Sequence, residues 1–180
     1  MKLKTGWAIA IMAILIVGGV VFGADRGWTD ERALVNETRA GLDSMLQTRV
    51  ESAYNVLAVA KRHLPEDDEA YLRVVRDRNA LESTSDDLGQ KAQANEALTV
   101  DAAALLDKLV QLETVKNDSR DNMYVTSYLP QMLAQSEQKT AGAAYNQAAA
   151  DFNSRMNKTF SGWLARTLLG IKPAVEFKAQ

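Results

Sequence analysis

Imidazole and thiol side chains, which carry out much of the acid–base and nucleophilic chemistry of enzymes, are scarce in this sequence. His63 is the only histidine, and the chain has no cysteine. Acid–base and nucleophilic catalysis need a positioned pair of such groups, and the sequence contains no HExxH, GxSxG, P-loop or GxGxxG pattern. His63 lies at the predicted end of a helix, where a cation is favourable, so we interpret it as a capping or surface residue. We therefore expect no catalytic residue, no cofactor and no enzymatic activity.

One acidic run, Glu66–Glu69, raises the question of a cation site. It directly follows Pro65, and proline and acidic residues are both favoured in the first turn of a helix. Four consecutive helical side chains point in different directions, and a di-iron carboxylate bundle needs a Glu-x-x-His motif on each of two helices. One histidine cannot supply that. We interpret the run as solvated charge at a helix start and expect no metal site.

Two arginines and two aromatic–Asn pairs are the other polar features. Arg49 and Arg78 lie near the apolar faces of two predicted helices, where the arginine stem can follow the seam while its head reaches water or a carboxylate. Tyr145–Asn146 and Phe152–Asn153 are seven residues apart, so each aromatic and each Asn repeats on its own helix face. An Asn at a seam can fix register, and aromatics two turns apart can pack against a folded-back tail. We expect architectural roles for all of them.

Helical periodicity organises the chain around these residues. Apolar residues recur every three or four positions over long stretches, and no alternation typical of strands persists. The pattern predicts an all-α fold, an antiparallel bundle of three to four long helices with short connections, then a short apolar helix and an extended tail from residue 171. The predicted helices cover residues 30–64, 65–87, 95–115, a segment that starts between 123 and 130 and ends at 158, and 162–169.

The first residues of the chain predict a membrane segment. Residues 5–24 carry no charge, and they follow two lysines and precede an Asp–Arg pair. A helix of this length spans about 30 Å, the thickness of the hydrocarbon core of a bilayer. The run is longer than the apolar region of a cleaved signal peptide, so we interpret residues 1–24 as a retained, single-pass transmembrane anchor. The short basic start favours an N-terminus in the cytoplasm, with residues 25–180 outside the bacterial inner membrane.

The stretch AYNQAAADFNSRMNKTFSGWLARTLLGIKPAVEF, at residues 144–177, resembles the LemA family of bacterial membrane proteins. The family pattern has two aromatic–Asn pairs seven residues apart, then an aromatic residue, a short apolar helix, a glycine, Lys-Pro and a final Phe. A weaker match lies in the first helix, and the chain departs from the pattern at Ser161, where the family has Pro. We therefore compare it with a divergent member. The matching residues are Arg49, Asn55, Tyr145, Asn146, Phe152, Asn153, Phe160, Gly170, Lys172, Pro173 and Phe177.

The resemblance implies a transmembrane anchor (1–24) followed by a LemA-like helical bundle with a short C-terminal helix and an extended tail (25–180), and it implies no known reaction. The chain has 21 Lys and Arg against 23 Asp and Glu. This balance of charges does not indicate the basic surface that nucleic-acid binding needs, so we expect no nucleic-acid partner. We expect a membrane-anchored, non-enzymatic scaffold or interaction module of the bacterial envelope. Its expected partners are the lipid bilayer, through residues 5–24, and other membrane or envelope proteins or itself. The alternative is an extracytoplasmic sensor or small-ligand-binding bundle that works with a separate signalling partner.

Overall fold

The computed structural model describes residues 2–83, 85, 87–137 and 139–179, without the side chains of residues 2–6, 8–10, 13, 14, 17, 20, 21, 24, 25 and 139. Over these residues the chain is helical and contains no strand, as its periodicity predicted. The helices are α1 (Lys2–His63), α2 (Glu69–Glu82), α3 (Leu88–Gln111), α4 (Glu113–Lys116), α5 (Ser119–Met123), a π-helical turn (Tyr124–Tyr128), α6 (Leu129–Ser136), α7 (Lys139–Lys158) and α8 (Phe160–Thr167).

The predicted transmembrane span at residues 5–24 is wrong for the part of the chain that the structure describes. Among those residues, no helix combines the length and the apolar character that a membrane crossing requires. Crossing takes about 20 consecutive apolar residues, and the side chains described here form no such run. The single-pass anchor and the inner-membrane location were inferred from this span, so these two predictions are wrong for the same reason. The described side chains of the stretch are Trp7, Ile11, Met12, Leu15, Ile16 and Phe22, with glycines at 18, 19 and 23.

Helix α1 contains both the uncharged stretch and the first predicted amphipathic helix. Residues 5–24 and the predicted helix at 30–64 form one continuous helix, because the single intervening Gly27 costs only about 1 kcal/mol in a helix. The helix ends at His63, and the N–H of Leu64 still donates to the carbonyl of Ala60 at 2.8 Å. Pro65 follows, and it cannot continue the helical hydrogen-bond pattern.

Aspartate caps decide where α2 and α3 begin. Asp68 accepts hydrogen bonds from two following backbone N–H groups at 3.0 and 3.3 Å, and Asp87 does the same at 3.0 and 3.1 Å. Asp is among the strongest N-cap residues. Helix α2 therefore begins at residue 69 rather than 65, and α3 begins at residue 88 rather than 95. Gly89 lies in the first turn of α3.

The predicted last long helix is divided into three elements. A π-helical turn precedes α6, and α7 starts only at Lys139. Pro130 lies in the first turn of α6, and because it has no N–H it cannot donate to the π-helical turn that directly precedes it. The short C-terminal helix starts at Phe160 rather than at residue 162, because Thr159 caps it by accepting a hydrogen bond from the N–H of Gly162 at 3.0 Å.

The chain forms two compact units. Unit 1 comprises Met1–Thr38 and Gln147–Val175, and unit 2 comprises Arg39–Asn146 and Glu176–Gln180. In unit 2, α2 packs along α3, and α3 also contacts α4, α6 and the π-helical turn. In unit 1, the rings of Trp28 and Phe152 pack edge to face with centroids 5.4 Å apart. Each unit therefore has buried apolar side chains of its own.

Candidate functional site

The buried side chain of Arg49 makes five hydrogen bonds within unit 2. It is 1% exposed, and its guanidinium connects α1 with α3 and α6. Nε donates to Oδ1 of Asn95 at 3.0 Å. Nη1 donates to the carbonyl of Leu133 at 3.3 Å and to Oγ of Ser136 at 3.4 Å. Nη2 donates to the carbonyl of Asn95 at 3.3 Å and to Oγ1 of Thr99 at 2.7 Å. An arginine has five N–H donors, so this set of acceptors accounts for all of them.

A cavity of about 270 Å³ lies beside Arg49. Its walls are mostly apolar, with Leu106 and Leu133 among them, and Asp107 and Glu137 also line it. Burial lowers the pKa of the Arg49 guanidinium, and the charge of Glu137 opposes that shift. Because the N–H groups of Arg49 already have protein acceptors, the cavity presents an apolar wall with carboxylates rather than a site for an anion.

Arg78 and Asn55 do not take part in the Arg49 cluster. The guanidinium of Arg78 lies over the ring of Tyr54, 4.3 Å from its centroid. Asn55 is exposed on α1, and its Nδ2 donates to the carbonyl of Glu51 at 3.1 Å. Both contacts lie at the surface of unit 2, and Nδ2 of Asn55 also donates to Sδ of Met132 at 3.7 Å. The structure therefore separates the arginine of the family pattern from the asparagine that follows it in sequence.

His63 pairs with Asp121, a residue that the sequence analysis missed. Nε2 of His63 lies 2.8 Å from Oδ2 of Asp121. Arg62 donates to the same carboxylate from Nε at 2.8 Å and from Nη2 at 2.6 Å. Hydrogen bonds from Arg62 and then from His63 lower the pKa of Asp121 to about 2. These bonds connect α1 with α5. In the described part of the chain no hydroxyl is hydrogen-bonded to His63, whereas a catalytic triad needs a nucleophile bonded to its histidine.

Acid should weaken this cluster. The pKa of Asp121 in the folded chain lies below the value of about 3.9 for an unfolded chain. The Asp121 carboxylate therefore stabilises the fold fully above about pH 3.9, and this stabilisation is lost as the pH falls towards 2. We expect Asp121→Asn to lower the free energy of unfolding by about 1–2 kcal/mol at pH 7, after allowance for solvent around the half-exposed Arg62. Urea unfolding followed by circular dichroism at pH 7, 4 and 2.5 measures this. A difference from the wild type that stays constant across the series would contradict the assignment.

Asp77 is a second buried acid that the sequence analysis did not single out. It is 3% exposed. Nε of Arg76 donates to its Oδ1 at 2.9 Å, whereas Oδ2 has no hydrogen-bond partner among the described residues. Burial raises the pKa of Asp77, and the neighbouring Asp101 contributes to the rise. Asp77 lies on the buried face of α2 together with Val74 and Leu81. An acidic side chain at such a position adds nothing to the apolar pattern, so hydrophobic periodicity did not single it out.

The carboxylates of Glu66–Glu69 have separate roles. Asp68 caps α2, and the run makes three ion pairs with different cations. Among the residues that the structure describes, no group of three or more His, Asp and Glu side chains is placed to hold a metal ion. The expected absence of a metal site stays a prediction. The ion pairs are Glu66 with Lys61 at 2.7 Å, Asp68 with Lys108, and Glu69 with Arg73 at 2.8 Å.

Asn146 binds the backbone of the C-terminal tail in unit 2. Its Nδ2 donates to the carbonyl of Phe177 at 2.8 Å, and the N–H of Phe177 donates to its Oδ1 at 2.7 Å. A side-chain amide offers the same donor and acceptor as a peptide group, so the pair of bonds imitates one rung of a β-ladder. The ring of Phe177 lies against Gly142, where an added Cβ would be 3.5 Å from Cδ1. Tyr145, the aromatic residue of this pair, is buried.

Asn153 binds the tail in the same way in unit 1. Its Nδ2 donates to the carbonyl of Ala174, and the N–H of Ala174 donates to its Oδ1, both at 2.8 Å. Phe152 packs on Trp28, and the indole N–H of Trp28 donates to the carbonyl of Ser161 at 3.1 Å. The second aromatic–Asn pair thus places its aromatic residue among buried side chains and its Asn on the tail.

The remaining residues of the family pattern lie on α8 and on the chain after it. Gly170 has a φ of 65°, a conformation that glycine adopts without steric cost. Lys172 and Pro173 are exposed. Phe160 is 71% exposed, and its ring stacks on Trp163 with centroids 5.7 Å apart and planes at 18°. These residues do not converge on a catalytic centre.

Comparison with known proteins adds no assignment to this geometry. No protein-family model matches the chain, and no curated protein matches it. The resemblance to the LemA family therefore stays a prediction, carried by the residues that match its pattern.

Proposed function

We propose that this protein is a non-enzymatic interaction module that binds other proteins, or another copy of itself, through exposed apolar side chains of unit 1. The observation that carries the proposal is the aromatic pair of α8. Phe160 is 71% exposed and Trp163 is 50% exposed, although each is a large apolar ring. Exposed aromatic clusters mark interaction sites, because covering them with a partner removes a large apolar area from water.

Helix α1 supplies further exposed apolar side chains in the same unit. Covering apolar surface contributes a favourable free energy of about 25 cal/mol per Å². This free energy is not gained while these side chains remain exposed to water. A binding partner would recover it. The exposed large apolar residues of this part of α1 are Trp7, Ile11, Met12, Leu15, Ile16 and Phe22.

The polar groups that chemistry would use support a non-enzymatic role. His63 is bonded to Asp121, and Arg49 has acceptors for all of its N–H groups. General acid–base catalysis needs a group that can reach a substrate proton. Both side chains are buried in unit 2 and bonded to other parts of the protein. His63 and Arg49 therefore connect helices of unit 2. The exposed rings of Phe160 and Trp163 are the side chains that we propose to contact a partner.

Cross-linking in intact cells, followed by mass spectrometry, tests the proposal. We expect the full chain to give specific cross-linked partners, or cross-links between copies. The double substitution Phe160→Ala and Trp163→Ala should reduce their yield by at least about tenfold, since aromatic anchors often contribute 2 kcal/mol or more each. Leu72→Ala is the matched control, because Leu72 is an exposed apolar residue of unit 2. Equal cross-linking of both variants and the wild type would refute the proposal.

The cavity beside Arg49 favours a second candidate, a small-ligand-binding bundle that works with a separate signalling partner. Its volume of about 270 Å³ and its apolar walls suit a small, mostly apolar molecule. A thermal-shift screen of small metabolites tests this. A saturable rise in melting temperature that Leu106→Trp abolishes would favour the ligand-binding function. No saturable shift would leave the interaction module as the better account.

A further inference from the structure

We propose that residues 172–179 form an exchangeable arm, which in a second copy of the chain binds Asn146 and Asn153 of the first copy, and reciprocally. The structure shows the arm of one copy bound to its own asparagines. Any second copy carries the same arm and the same two asparagines, so the exchanged contacts need no new chemistry. This interface does not involve the exposed aromatic pair of α8, and it is independent of the function proposed above.

The hydrogen bonds that Asn146 and Asn153 make with the arm all involve its backbone. Asn146 bonds the N–H and the carbonyl of Phe177, and Asn153 bonds the N–H and the carbonyl of Ala174. Backbone groups are identical in every copy. The two side-chain amides therefore bind an arm by its extended conformation and register, whichever copy supplies it.

The arm is lightly buried and attached through a glycine. Ala174 and Phe177 are half-buried. Lys172, Pro173 and Glu176, which lie beside them in the arm, are exposed. Release therefore exposes little apolar surface. Gly170, with its φ of 65°, directs the arm to its own asparagines. Because a short tether gives the arm an effective concentration in the millimolar range, the closed form dominates in dilute solution.

Straining Gly170 tests the exchange in the full-length chain. Valine is disfavoured at positive φ, whereas asparagine tolerates it. We expect Gly170→Val to raise the association constant for the dimer by about tenfold or more, measured by sedimentation velocity. Gly170→Asn should behave like the wild type. Adding Asn146→Asp and Asn153→Asp to the valine variant removes both Nδ2 donors and should restore the monomer. A valine variant that stays monomeric, or a dimer that survives loss of both amides, would overturn the proposal.

A peptide experiment covers the case in which the valine variant does not fold. A synthetic peptide of residues 171–179, added to the wild-type full chain at millimolar concentration, should shift the side-chain amide resonances of Asn146 and Asn153 saturably. The same peptide with proline in place of Ala174 and Phe177 lacks both donating N–H groups and should shift neither. If the unmodified peptide gives no saturable shift, these amides do not accept an arm from outside the chain.

Discussion

Replacing Arg49 with alanine should lower the free energy of unfolding by about 4 kcal/mol. The substitution removes all five hydrogen bonds of the guanidinium and leaves a void among α1, α3 and α6. Buried carbonyl and hydroxyl acceptors without donors cost about 1–3 kcal/mol each where water cannot replace the donor, and removing a buried charged partner costs about 3–5 kcal/mol in total. Urea unfolding followed by circular dichroism measures the loss.

Two variants separate geometry from charge. Arg49→Lys keeps the positive charge but not the planar fork of donors, so we expect it to lose about half as much stability as alanine. Arg120→Ala, at an exposed arginine of unit 2, is the matched control and should change stability by no more than about 0.5–1 kcal/mol. A lysine variant as stable as the wild type would mean that the bonding pattern around Arg49 is unimportant.

Gly162→Ala should lower the free energy of unfolding by about 3 kcal/mol. A Cβ at this position would lie 2.2 Å from the carbonyl oxygen of Met156, and backbone atoms cannot move aside without displacing the start of α8. We expect the melting temperature to fall by about 6–12 °C, given about 2–4 °C per kcal/mol for a chain of this size. Tryptophan fluorescence reports the transition of unit 1, because Trp7, Trp28 and Trp163 all lie in that unit.

Gly41→Ala is the matched control, and its expected effect has the opposite sign. Gly41 lies in α1, and a Cβ there would meet nothing within 4 Å. Alanine is favoured over glycine in a helix by about 0.8–1.0 kcal/mol, so this variant should be slightly more stable than the wild type. If both alanine variants shifted stability in the same direction, the clash at Met156 would not be the cause.

Hydrophobic periodicity predicted the helical class because long amphipathic stretches are its strongest signal. Helix boundaries were harder to predict, because residues that favour the start or the end of a helix lie close together in the sequence. Pro65 and Gly89 are both helix punctuators, but Asp68 and Asp87 are the residues whose side chains cap the helices. The membrane prediction relied on the length of the uncharged run at residues 5–24, but among the residues that the structure describes no helix is long and apolar enough to cross a membrane.

The polar contacts show which parts of the candidate site a sequence can reveal. The spacing of Asn146 and Asn153 predicted that they share a helix face, because that relation is local. The sequence indicated a folded-back tail beside the aromatic residues of these pairs. It did not indicate which backbone groups the two amides bond, because an amide can bond any backbone group and these partners lie 31 and 21 residues away. Asp121 lies 58 residues from His63 and resembles every other acid in its segment. Such long-range pairs depend on tertiary packing.

Oxidative footprinting of Phe160 and Trp163 tests the central claim, that this protein works through exposed apolar side chains. The labelling rate of each residue would be compared between the purified chain and intact cells. We predict strong labelling of both rings in the purified chain and protection in cells, where partners cover them, with Leu72 labelled equally in both settings. Equal labelling of the two rings in both settings would contradict the claim.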